Sequence, residues 1–103
     1  MNEQDIGMRA QSLQQSMAED RRWLHRNAEC GAHLPRTTAY IMQRLEERGY
    51  APREICDSGV VATITGRDTG RCILLRADMD ALAMTEQTEL PFRAENGRMH
   101  ACG

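Results

Sequence analysis

Segment 72–75, Cys-Ile-Leu-Leu, constrains the fold of this 103-residue chain more than any other part of it. Its residues are all apolar, and arginines flank it at positions 71 and 76. A short apolar run of this kind predicts a strand that is covered on both faces. We therefore expect an interior strand in a sheet with helices packed on it, which is an α/β architecture.

Two helices are predicted before this strand, and they are the available cover. Residues 8–27 carry leucine and methionine at helical intervals, with polar residues between them. Thr37 or Thr38 can cap a second helix, which Gly49 would end. Helices followed by strands are expected to form one domain.

A second β-rich run, 60–65, precedes the apolar strand. The five residues 66–70 between the two runs suit the loop of a hairpin. These strands would belong to one mixed sheet, which the two helices cover.

Charge and cysteine usage exclude several classes of protein. The net charge is -2, from 15 acidic and 13 basic residues spread along the chain, so no basic face predicts nucleic acid as a partner. No membrane partner is predicted, and the N-terminus lacks a signal peptide, so the cytoplasm is the expected location. The four cysteines form no C-x-x-C pair, and we expect free thiols.

The acidic pair directly after the apolar strand is the first candidate for chemistry. Asp78 and Asp80 are two positions apart, so on an extended backbone their carboxylates point to the same side. When two carboxylates lie so close together, either the pKa of one of them rises or the pair binds a cation. The alternative is a solvated acidic turn in which Arg76 is a surface partner.

His100 and Cys102 offer an imidazole and a thiol near the end of the sequence. Both are ligands that suit zinc and related metals, but two ligands do not fill a tetrahedral site. The alternative is a loop histidine beside a buried thiol. His25, with arginines beside it, is interpreted as a cation at the C-terminal end of the first helix.

Six blocks of sequence together resemble the amidohydrolase branch of peptidase family M20, which contains hippurate hydrolases, N-acyl-amino-acid hydrolases and auxin-conjugate hydrolases. The blocks are 22–29, 59–62, 75–82, 84–86, 90–92 and 97–103. The chain departs from the usual pattern at Ala28, Cys30 and Ala83, where proline, leucine and proline are common.

The resemblance implies a fold and a metal site. The fold would be a zinc-peptidase-like three-layer α/β/α catalytic domain, with residues 1–103 as its N-terminal part and the lid or dimerisation domain elsewhere. The family's closing motif reads Met-His-Ala-Cys-Gly-His-Asp-x-His, in which the cysteine and the histidine after glycine bind metal. Cys102 would thus be a ligand, while Asp78, Asp80 and His100 would support the site.

The resemblance implies hydrolysis of the amide bond of N-acyl amino acids or related conjugates, with a small N-acyl amino acid or peptide-like molecule as substrate. It also implies two divalent ions, zinc or manganese-like, and a homodimer is compatible with the complete enzyme. Its catalytic base is a glutamate from a Glu-Glu pair further along, so no catalytic residue is assigned here. We expect the chain alone to be inactive, to hold no metal stably, and to be marginally stable or to associate. The alternatives are a non-catalytic binding module derived from the family and, ranked last, a thiol redox protein.

Overall fold

The structure, a computed structural model, describes residues 1–67 and 70–102. Its regular elements are α1 (Glu3–Ser12), α2 (Gln14–Arg26), α3 (Pro35–Glu47), β1 (Arg53–Ile55) and β2 (Gly59–Val61). A long segment with little regular structure follows β2. Helices followed by a small sheet confirm the α/β class.

The first predicted helix is in fact two helices, α1 and α2, which meet at Leu13. Asn2 begins α1 with a capping box, in which its side chain and that of Asp5 each accept from the other's backbone N–H. At the junction the Ser12 hydroxyl donates to the carbonyl oxygen of Arg9 at 2.7 Å. A hydroxyl that bonds back to its own helix can compete with the backbone ladder, and this bond coincides with the break.

Helices α2 and α3 pack through an aromatic pair and a shared carboxylate. The rings of Trp23 and Tyr40 stack with centroids 3.8 Å apart and planes within 5°. The carboxylate of Asp20 accepts from the Tyr40 hydroxyl and from Nε of Arg44, each at 2.7 Å. These contacts join the two helices by both apolar area and charge-assisted hydrogen bonds.

The second predicted helix is confirmed as α3, although it begins at Pro35. Thr37 and Thr38 do not cap it but lie buried in its first turn. Glu29, from the preceding loop, takes the capping role, because its carboxylate accepts from the Thr37 backbone N–H at 2.6 Å and the Thr37 hydroxyl at 2.7 Å. Proline in the first turn suits a helix start, since its missing N–H would have no partner there.

The hairpin of the structure is not the one that the sequence predicts. Strand β1 pairs antiparallel with β2, with Glu54 opposite Val60, through a turn in which Cys56 and Ser58 have φ of 51° and 65°. The β-rich run 60–65 is a strand only as far as Val61. The predicted loop 66–70 includes positions 68 and 69, which lie outside the described residues.

The prediction of an interior strand at 72–75 is wrong. The structure has no strand there, and Ile73, Leu74 and Leu75 are 85%, 89% and 91% exposed. A covered strand needs hydrogen-bonded neighbours on both sides, and the two strands that the structure describes pair only with each other. Because the pattern reports only a need for cover, it does not guarantee that the cover lies nearby.

Two isolated bridges dock the segment after residue 80 onto the rest of the chain. Cys30 pairs in parallel with Ala81, and Leu82 pairs antiparallel with Met99. The backbone N–H of Ala81 donates to the carbonyl oxygen of Glu29 at 2.7 Å. Ala81 is buried, so this point of attachment lies in the interior.

The core of the described ranges is small. Its buried apolar residues are Ala28, Leu34, Ala81 and Ala94, three of which are alanines. No helix within residues 1–67 and 70–102 has the length and apolar character needed to cross a membrane. A core built mostly from alanine buries little apolar area, in keeping with the expected marginal stability.

Candidate functional site

One cavity of about 410 Å³ is surrounded by the four candidate residues of the sequence analysis, Asp78, Asp80, His100 and Cys102. The bridge between Leu82 and Met99, with both backbone N–H···O distances at 2.9 Å, brings their two segments side by side. The cavity is lined by Asp78, Asp80, Ala81, Leu82, His100, Ala101 and Cys102. Two short motifs that are separate in the sequence therefore line one cavity.

His100 is the least exposed of these polar side chains. Its Nε2 atom is buried and has no hydrogen-bond partner in the described part of the chain. Burial and the nearby charge of His25 lower the pKa of His100, although hydrogen bonding to the backbone of Asp80 opposes this. A neutral imidazole with a free nitrogen is the form that binds metals.

The other three side chains are more open. Asp78, Asp80 and Cys102 are exposed, and Asp78 accepts from Nη2 of Arg76 at 2.7 Å. That contact matches the surface partner expected for the solvated-turn alternative. The structure therefore has features of both interpretations of the acidic pair, since Asp78 is paired with Arg76 and still lines the cavity.

The donor set has the right chemistry for a metal but is incomplete. A thiol, an imidazole and carboxylates are the ligands that zinc accepts. However, no group of three or more His, Cys, Asp or Glu side chains in residues 1–67 and 70–102 is placed to hold a metal ion. The described residues therefore do not by themselves bring together enough ligands to hold a metal ion.

A larger cavity of about 520 Å³ lies beside this site, between α2, α3 and the two motif segments. Its volume falls in the range typical of small-molecule sites. Apolar side chains line it together with the candidate ligands. The lining residues are Met17, Asp20, Arg21, Leu24, His25, Thr37, Ile41, Asp78, Met79, His100 and Cys102.

His25 and Glu86 form a contact that the sequence analysis missed. Nε2 of His25 lies 2.5 Å from Oε1 of Glu86, and the two side chains are 13% and 1% exposed. The hydroxyl of Thr88 and the backbone N–H of Ala94 also donate to Glu86, and these hydrogen bonds hold the pKa of Glu86 below its usual value. No local spacing signals this contact, because the partners are 61 positions apart.

Glu29 holds the backbone around the site in place. Burial raises the pKa of Glu29, but hydrogen bonds from Thr37 and Arg36 outweigh this and leave the pKa below its usual value. Its carboxylate fixes the start of α3, while its carbonyl oxygen accepts from Ala81. One residue thus connects the helix start with the acidic segment 78–80.

Residues 74–103 match the family described as peptidase family M20/M25/M40. The whole chain is 37% identical to the N-acetyl-L-cysteine deacetylase of Bacillus subtilis (strain 168), covering 100% of this chain and 25% of the relative. The chain belongs to peptidase family M20. The family match includes all four candidate residues and starts inside the exposed apolar segment 72–75.

Two further relatives of this M20 chain are also deacetylases. The N-acetylcysteine deacetylase of Bacillus subtilis (strain 168) is 45% identical over 81% of this chain and 23% of the relative. The N-acetyldiaminopimelate deacetylase of Halalkalibacterium halodurans is 34% identical over 88% and 25%. The chain thus spans about a quarter of the length of the curated relatives that it matches. No solved structure matches it.

Proposed function

We propose that this chain is the N-terminal part of the catalytic domain of an M20 amidohydrolase that hydrolyses the amide bond of N-acyl amino acids. Family membership supports the reaction class, and the names of the three relatives support an N-acylated amino acid as substrate. The reaction would take place in the cytoplasm, and the complete enzyme would be compatible with a homodimer. We assign no catalytic base within residues 1–103, because the family's base comes from a Glu-Glu pair further along.

The observation that carries this proposal is the single cavity shared by Asp78, Asp80, His100 and Cys102. Cys102 is proposed as a direct metal ligand, because its thiolate is the strongest donor in the set. Asp78, Asp80 and His100 are proposed to position that ligand and to set the charge around it. When bound, two divalent ions of zinc or manganese type would supply Lewis acidity for attack on the amide.

The larger cavity supports a small-molecule substrate. Its lining includes His100 and Cys102 together with apolar residues such as Leu24 and Ile41. An N-acyl amino acid has both a polar amide and apolar carbon atoms, so it suits a cavity of mixed lining. On this ground we place the substrate next to His100 and Cys102.

A chimera tests the proposal directly. The segment of Bacillus subtilis N-acetyl-L-cysteine deacetylase that aligns with this chain is replaced by residues 1–103, and deacetylation of N-acetylcysteine is measured. We expect an active chimera that binds metal, because the inserted residues would provide an equivalent ligand, Cys102. Cys102→Ser should abolish both metal binding and deacetylation.

Cys56→Ser is the matched control, since Cys56 is an exposed thiol in the β1–β2 turn. It should leave metal content and deacetylation unchanged. A folded chimera that keeps full metal content after Cys102→Ser would contradict the ligand assignment. A folded chimera without deacetylation or metal would instead favour the non-catalytic binding module.

A further inference from the structure

Three arginines line a separate cavity that does not include the proposed metal ligand Cys102. The end of α2, the start of α3 and the turn 91–96 surround a cavity of about 360 Å³. Arg26, Arg36 and Arg93 line it, and we call it the arginine pocket. It contains none of the residues to which the proposed amidohydrolase function assigns a role.

The arginine pocket carries a surplus of positive charge. Its other lining residues are Pro91, Asn96 and one carboxylate, Glu95, so three cations face a single anion. Oε1 of Glu95 lies 3.3 Å from Nε of Arg93, and the Glu95 side chain is 75% exposed. An ion pair that is so exposed to solvent is weak, so Glu95 neutralises little of this charge.

The other two guanidinium groups form no ion pair in the described ranges, although the charge of Arg36 acts on the nearby carboxylate of Glu29. Nη2 of Arg36 donates to the neutral amide oxygen of Asn27 at 2.6 Å. Arg26 forms no ion pair or side-chain hydrogen bond with the described residues. The local surplus is not a general property of the chain, whose net charge is -2.

The backbone that presents these arginines is held in place. The Ala94 N–H, next to Arg93, donates to the buried carboxylate of Glu86 at 3.0 Å. Nδ2 of Asn96 donates to the carbonyl oxygen of Ala28 at 3.0 Å. A binding site built on a fixed backbone loses less conformational entropy when a ligand binds.

We propose that the arginine pocket binds an oxyanion, namely a carboxylate or phosphate group. Planar guanidinium groups pair with such groups through two parallel hydrogen bonds, and a bound anion would relieve the repulsion among three like charges. The backbone N–H groups at the start of α3 are taken by Glu29, so the anion would be held by the guanidinium groups.

The experiment follows backbone amide and arginine Nε–Hε signals of the 103-residue chain by NMR. Inorganic phosphate and succinate are added separately, with ionic strength held constant by chloride. We expect saturable shifts at Arg36 and at residues 91–96. Saturation by both anions would indicate carboxylate and phosphate recognition, whereas saturation by phosphate or by succinate alone would identify which group is bound.

Substitutions separate a pocket from general charge screening. R26Q should weaken the anion's affinity roughly tenfold or more, because a hydrogen bond to a charged group is lost. R26K keeps the charge but loses the planar pair of donors, so we expect an intermediate affinity. R71Q removes an exposed arginine elsewhere and should leave the affinity unchanged.

Shifts that fail to saturate with either anion would overturn the proposal, as would equal effects of R26Q and R71Q. Arg26 is exposed, so R26Q should fold normally, and far-UV circular dichroism checks this. If R26Q unfolds, R36Q gives the same comparison from the start of α3. None of these readouts depends on metal or deacetylation, so the arginine pocket and the proposed function can fail separately.

Discussion

The buried carboxylate of Glu86 lies 2.5 Å from Nε2 of His25 and joins the end of α2 to the last part of the chain. Glu86 also accepts from Ala94 and Thr88, so three segments converge on one side chain. The ring of Phe92 lies on the same side, 6.3 Å from the His25 ring and 4.6 Å from the Arg22 guanidinium. Through Ala94, this cluster also holds the backbone next to Arg93 of the arginine pocket.

Replacing Glu86 should loosen the C-terminal segment. Glu86→Gln keeps the size of the side chain but removes the charge that Ala94, Thr88 and His25 contact, so we expect a lower Tm. Hydrogen exchange at the Ala94 amide should also become faster. Glu89→Gln, at an exposed position, is the control, and equal Tm values for the two variants would contradict the role of Glu86.

The chain should lose stability in acid. Burial raises the pKa of Asp20, but hydrogen bonds from Tyr40 and Arg44 and the charges of Arg44 and Arg48 bring it below its usual value. The pKa values of Glu29 and Glu86 are also lowered. A lowered folded-state pKa contributes stability above the unfolded-state pKa, and this contribution is lost as pH falls through the folded-state value.

Urea unfolding followed by Trp23 fluorescence at a series of pH values measures this effect. The free energy of unfolding should decrease as the pH is lowered into the range in which carboxylates usually titrate. Asp20→Asn should flatten part of that dependence, because the substituted side chain does not titrate. An unchanged slope in the Asp20→Asn variant would show that Asp20 is not one of the groups responsible.

Tyr40 should ionise later than a free tyrosine. Burial, followed by its hydrogen bond to Asp20, raises the pKa of Tyr40 from its usual 10.0 to about 12. A raised folded-state pKa contributes stability below the unfolded-state value, and this is lost as pH rises through the folded-state value. An absorbance titration of tyrosinate should show a step near pH 12 that Tyr40→Phe removes.

Tyr40→Phe should also cost about 1.5 kcal/mol at neutral pH, since the hydroxyl donates to a charged carboxylate. The stacking on Trp23 should remain, because phenylalanine keeps the ring. Tyr50→Phe is the control in an exposed position. A stability loss as large in Tyr50→Phe would contradict the assignment to the Asp20 hydrogen bond.

The exposed apolar segment should govern association more than stability. Ile73→Thr with Leu75→Thr should change the free energy of unfolding by less than about 0.5 kcal/mol, because both side chains are exposed. Sedimentation velocity should show less self-association in this variant. Leu34→Ala, at a position only 4% exposed, should instead cost about 2–5 kcal/mol.

A large stability loss in the threonine variant would show that segment 72–75 is buried in solution. Unchanged association would show that another surface drives it. The two measurements therefore show whether segment 72–75 is exposed or buried in solution.

Local sequence patterns predicted the second helix, whereas the grouping of Asp78, Asp80, His100 and Cys102 came from the resemblance to family M20. The acidic pair shares a side through simple alternation along an extended backbone. The break at Leu13 was not predicted, because apolar residues continue at helical spacing across it. It coincides with a side-chain hydrogen bond, from Ser12 to Arg9, of a kind that can compete with the helix.

The sequence by itself determined the family, the identity of the candidate ligands and the apolar character of segment 72–75. Only the tertiary structure decided that this segment lies exposed, that His25 meets Glu86 and that three arginines line one cavity. The physical reason is the separation along the sequence of the residues that interact. Periodicity and motifs report on neighbours within a few residues, whereas burial and charge pairing depend on which distant segments the folded chain brings into contact.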